Sequence, residues 1–165
     1  MCFIQSLLMT DDQLPYKGTD LDTLIDVAKR AIAILAGKDP ADVKLDEDGD
    51  LVLLGDSAHI IISFVDAPSA FLFKTTLLDG VKESAALYAL INEINVDIEI
   101  GQIFYSEKCS AIRYFYKYPA ENPTPELVAA IVSSMIEAAD LYDDRLKVRL
   151  GGERFNEQAD DEIDI

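Results

Sequence analysis

Apolar positions along this chain alternate between two periods. Over 20–36, Leu21, Leu24, Ala28, Ala31, Ile32 and Leu35 recur at three- and four-residue spacing, the signature of one buried helix face. Thr19 stands where a cap is needed, Asp22 lies near the exposed first-turn amides, and Gly37 and Pro40 end the segment. From 43 to 78 the period shortens to two. Residues 43–45 run into Asp46-Glu47-Asp48-Gly49-Asp50, whose Asp48-Gly49 pair suits the left-handed backbone of a tight hairpin. Segments 51–54, 58–65 and 70–78 follow, broken at Gly55-Asp56 and Ala67-Pro68-Ser69. They predict an antiparallel meander of three to four strands.

Helical spacing returns over 81–95, with Leu87, Leu90, Ile91 and Ile94 on one face. Residues 98–105 and 111–118 predict a second hairpin turning at Ser106-Glu107-Lys108. Gly101 inside its first arm suggests a bulge. The longest helix spans 125–149: Thr124 caps it, Pro125 takes the first position, and Gly151-Gly152 ends it. Val128, Val132, Met135, Ala139, Tyr142 and Leu146 form its buried stripe. The order α-β-β-β-α-β-β-α predicts an α+β fold. Its antiparallel sheet carries helices mainly on one face and leaves the other partly open. The expected division is an N-terminal arm over 1–18, one domain over 19–152, and an acidic, disordered tail over 153–165.

The stretch Leu87-Tyr88-Ala89-Leu90-Ile91-Asn92-Glu93-Ile94-Asn95, leading into Gly101-Gln102-Ile103-Phe104-Tyr105, resembles the YbjN-like group within the type III secretion chaperone-like fold. So does Thr124-Pro125-Glu126-Leu127, opening a long last helix that ends in Leu141-Tyr142-Asp143. The element order is similar over 20–150. These are packing and turn residues, so the resemblance speaks to fold more than to chemistry. It implies a non-enzymatic protein, commonly dimeric, that binds other polypeptides. Secretion chaperones are small acidic dimers that hold an extended client segment; YbjN-like proteins are described as regulators.

Charge narrows the partners. The 165 residues carry 31 Asp and Glu against 14 Lys and Arg, a formal charge of −17. Nucleic-acid binding needs cations that neutralise phosphates, so a duplex is excluded as a partner, and an anionic membrane likewise. Half the residues are hydrophobic. A domain of this length buries roughly 70% of its unfolded surface and needs no metal or disulfide. Cys2 and Cys109 form no CxxC or zinc spacing, which suits a reducing, cytoplasmic setting. The apolar start lacks a basic region and makes a poor signal peptide.

Candidate chemistry is sparse. Asp46, Asp48 and Asp50 alternate as in a calcium loop, but Gly49 stands fourth and Ser57 twelfth, where an EF-hand has glycine sixth and glutamate twelfth. A solvated hairpin turn accounts for them. His59, the single histidine, sits among strand residues, and Cys109 has only Lys108 beside it. No catalytic, metal or cofactor site is assembled from these, and no cofactor is expected.

The most informative cluster is aromatic: Phe104, Tyr105, Ile112, Tyr114, Phe115, Tyr116 and Tyr118. Strand alternation puts Ile112, Tyr114, Tyr116 and Tyr118 on one face and Arg113, Phe115 and Lys117 on the other. Tyrosine suits surfaces that are wet alone and dry in a complex, and equally a cross-strand core. Phe104, Tyr105, Ile112, Tyr114, Tyr116 and Tyr118 are therefore the candidate protein-binding surface, with core as the competing reading. Arg113 and Lys117 would meet an acidic partner segment or the chain's own tail. The favoured function is a chaperone-like or regulatory module that captures a polypeptide segment as a homodimer. An acidic decoy or immunity-type inhibitor covering a basic protein is the alternative; an enzyme using Cys109 or His59 ranks last.

Overall fold

The computed structural model describes residues 18–55 and 59–154. The expected arm and tail lie almost wholly outside them. Helix α1 spans Leu21–Ala36, followed by a short 3-10 turn at Pro40–Asp42. Strands β1 (Leu51–Leu54), β2 (His59–Val65) and β3 (Ala70–Leu78) precede α2 (Ala85–Asp97). Strands β4 (Gln102–Ser106) and β5 (Ala111–Pro119) precede α3 (Pro125–Leu150). The strands form one antiparallel sheet in the order β1-β2-β3-β5-β4. The fold is the expected α+β arrangement, with helices on one face.

Register explains the core. Leu51, Ile62, Phe73 and Tyr116 stand opposite one another across four strands. Beyond that row, Leu53 pairs with Ile60, and Tyr114 pairs with Thr75 on one side and Ile103 on the other. Leu24, Val27, Ala28, Ala31 and Ile32 of α1 and Val128, Val132, Met135, Ala139 and Leu146 of α3 are buried. The two helices pack on each other and on the middle of the sheet. Phe71 and Phe73 are fully buried, worth about 1.5–3 kcal/mol each. Phe73 stacks on Tyr116 at 6.2 Å and Phe71 on Tyr118 at 6.3 Å, adding about 0.5–1.5 kcal/mol per pair.

Four local expectations are corrected. Asp20, not Thr19, caps α1: its carboxylate accepts from Thr23 N–H at 3.0 Å, which holds its pKa below the usual value. Thr19 is tied elsewhere, its hydroxyl donating to Ala120 O at 2.9 Å. Residues 43–45 form no strand. The Asp46–Asp50 turn is present, with the Asp46 carboxylate accepting from Asp48 and Asp50 N–H, but it joins a loop to β1. Helix α2 starts at Ala85 under a Ser84 cap. Val81 cannot join it, because its N–H donates to Ser110 O and its carbonyl accepts from the Tyr105 hydroxyl. Gly101 lies just before β4, at φ +72°, where a Cβ would stand 2.7 Å from Phe115 O. The sheet's register irregularity falls instead between Thr76 and Leu78.

The chain after α3 is anchored. Gly152, at φ +93°, runs so close to Asp79 O that a Cβ would lie 2.7 Å away. Asp79 and Glu153 exchange backbone bonds of 2.9 and 3.0 Å. Arg154 meets the buried Asp143 at 3.4 Å and pairs with Asp144.

Helix α2 flanks β4. The Asn95 side chain donates to Ile103 O at 2.9 Å and accepts from Ile103 N–H at 2.8 Å. A side-chain amide thus takes the place of a neighbouring strand. Losing it leaves two partly buried backbone groups without their partner, each costing about 1–3 kcal/mol where water does not replace it. Asn95→Ala is expected to lower unfolding stability by about 1–3 kcal/mol in urea titration; an unchanged midpoint would contradict this role.

Candidate functional site

A sheet has two edges, and each presents unpaired N–H and C=O groups. The β4 edge is met by Asn95. Strand β1 pairs with β2 alone among the described residues. It is only four residues long, and Leu54 is 74% and Val52 42% exposed. Beside it lies a groove of about 730 Å³ between the end of α1, the 38–44 segment, β1 and α3. Ile32, Leu35, Val43, Leu53, Leu54 and Ile136 supply its apolar lining, with Lys38 and Lys44 also present. An open strand edge beside an apolar groove can take main-chain hydrogen bonds and alternate side chains at once.

The aromatic candidates divide. Ile112 and Tyr114 are inside the core, Tyr114 only 1% exposed. The Tyr114 hydroxyl donates to Ile100 O at 2.7 Å; burial first, then neighbouring Tyr142, pushes this phenol up to about 12. Tyr116 and Tyr118 are half-buried on the same face, and so is Tyr105, its hydroxyl on Val81 O and its ring edge-on to Tyr88 at 6.2 Å. Phe104, 39% exposed, lies opposite Arg113 on the other face. The structure therefore groups five of the six and sets Phe104 apart. Asn95, Val52 and Leu54 were not singled out by sequence reasoning. Nothing in the alternation of a four-residue strand says that it will be an edge.

The chemistry-bearing residues stay dispersed. Cys109 is exposed in the β4–β5 turn, while His59 is two strands away on β2, with β3 and β5 lying between β2 and β4. Asp46 is engaged by its own turn; Asp50 accepts from Ser63 at 2.6 Å and pairs with Lys74 at 3.4 Å. Among the described residues, no His, Cys, Asp and Glu cluster could hold a metal, and no helix is long and apolar enough to cross a membrane.

Residues 22–158 match the family described as T3SS (YopN, CesT) and YbjN peptide-binding chaperone 1. The chain belongs to this family. Among solved structures it is similar to a chain in the crystal structure of the ExsC–ExsE complex. The TM-score is 0.60 at 15% identity, covering 76% of this chain and 96% of that one. That likeness shows the shared fold. No curated protein matches significantly.

His59 is half-buried at the start of β2, and burial lowers its pKa below the usual 6.5. The folded chain therefore resists a proton that the unfolded chain accepts. Stability should fall as pH drops below about 6.5 and level off beneath the folded pKa. Between about pH 7.5 and about pH 5.5 the urea midpoint of the wild type should fall further than that of His59→Gln. Equal falls would contradict it.

Proposed function

We propose that this chain is a non-enzymatic module that captures an extended segment of another polypeptide, adding it as a strand to β1. Alternate client side chains enter the adjoining groove. The observation that carries this reading is the contrast between edges: β4 is met by Asn95, while β1 is short, exposed and bordered by apolar groove walls. The family's description as peptide-binding chaperones supports the same reading. Backbone pairing supplies affinity and the groove supplies selectivity.

The rest of the reading is a homodimer with a second client contact. Exposed Val96 on α2 and Leu141 and Val148 on α3, around the Glu93 pairs with Arg145 and Arg149, offer a surface for another copy. Phe104, with the half-buried Tyr105, Tyr116 and Tyr118, is the part of the aromatic hairpin that a client can reach. Ile112 and Tyr114 would support it from within.

The test isolates tagged protein from its native cell at low and moderate salt and identifies what accompanies it. A near-stoichiometric polypeptide that survives moderate salt is expected. Leu54→Asp, at an exposed position, should weaken its capture at least about tenfold, equivalent to about 1.4 kcal/mol. Undiminished capture by that variant would overturn strand addition at β1. A set of basic proteins lost at moderate salt would point to charge-based association instead.

A further inference from the structure

The charges of this molecule are segregated by element. Among the described residues, no Asp or Glu lies in β1–β5, whereas Lys74, Arg113 and Lys117 do. All three project to the face away from the helices. Lys74 alternates with the buried Phe73 and Thr75, and Arg113 and Lys117 alternate with Ile112, Tyr114, Tyr116 and Tyr118. Lys74 stands opposite Phe115, and Arg113 opposite Phe104. The Arg113 Nε is buried and has no hydrogen-bond partner among the described residues. Asp50, paired with Lys74, is the acid the structure brings to these cations. A chain of net charge −17 thus presents a cationic, partly apolar sheet face.

The occupant it fits is tethered beside it. Glu153 bonds to Asp79, one residue beyond β3, at the end of the sheet nearest Arg113, and the described chain ends one residue later at Arg154, paired with Asp143 and Asp144 of α3. Glu157, Asp160, Asp161, Glu162 and Asp164 follow, with Ile163 and Ile165 between and after them. Arg113 is opposite Thr76, three residues back along β3 from Asp79, and Lys117 is opposite Leu72, seven back. At about 3.3 Å per residue those positions lie roughly 10 and 23 Å from the tether. Residues 154–164 extended reach up to about 36 Å. Tethering also sets an effective concentration on the order of millimolar, which a free acidic peptide would have to exceed.

We propose that residues 157–164 dock on the open face of the sheet, their carboxylates meeting Lys74, Arg113 and Lys117. The proposal concerns the sheet's open face and not its β1 edge, so it stands apart from strand addition and would compete with a client only at Phe104, opposite Arg113. Docking shields the exposed apolar side chains of that face from other molecules. It is held by charges at or near the surface, Lys117 exposed and Lys74 and Arg113 half-buried, so it weakens as salt shortens the screening length.

The test uses the full chain, isotopically labelled. A variant with Glu157→Gln, Asp160→Asn, Asp161→Asn, Glu162→Gln and Asp164→Asn alters only charge and leaves residues 18–154 untouched. Its amide spectrum should differ from wild type at 74, 113, 115 and 117 and their neighbours. Wild-type signals at those positions should move toward the variant's between about 50 and 500 mM salt. Lys74→Gln with Lys117→Gln should shift the 157–164 signals by displacing the segment. Changes confined to 153–165 in the first variant, salt-indifferent signals on β3 and β5, or shifts centred on the helices would each overturn it.

Discussion

The pair of hydrogen bonds between the Asn95 amide and the Ile103 backbone decides what this sheet can do. An antiparallel sheet of five strands must leave two rows of backbone donors and acceptors at its edges. At the β4 edge the Asn95 side chain takes the Ile103 donor and acceptor, whereas β1 pairs with β2 alone among the described residues. The same contact fixes α2 against β4, where Leu87, Leu90, Ile91 and Ile94 are buried. Stability and the proposed function therefore meet at one residue: the amide that steadies the hairpin also occupies the β4 edge at Ile103, and strand addition is proposed at the other edge.

The two faces divide the remaining work. The helix-covered face is sealed by Phe71, Phe73, Ile112 and Tyr114, with stacked Tyr116 and Tyr118 extending it outward. Among the described residues, the open face holds cations and scattered apolar side chains but no strand carboxylate. Edge, covered face and open face are thus three surfaces with different chemistry. Strand addition needs only the first.

Most of the fold was legible in the sequence because its periods are clean. The switch from helical spacing at Leu24, Ala28 and Ala31 to alternation at Ile60 and Ile62 names the elements directly. Tertiary bonds overrode local signals at the boundaries. Val81 is held outside α2 by Ser110 and Tyr105, and Thr19 is drawn from its cap to Ala120, contacts about 20–100 residues away along the chain. The candidate site was only half legible. Alternation split β5 into its two faces correctly, yet could not say which face the helices would cover. It was silent about strand order, on which the exposure of Leu54 and the role of Asn95 depend. Asn95 had entered as part of a family-like pattern; its chemistry required knowing that Ile103 would face it.

Strand addition as proposed makes β1 the receptive edge and leaves β4 unengaged. Hydrogen exchange on the chain with and without its bound client measures this most directly. Amides in residues 51–54 should slow by about tenfold or more on binding while those in 102–106 keep their rates. Protection appearing at 102–106 with none at 51–54 would contradict it.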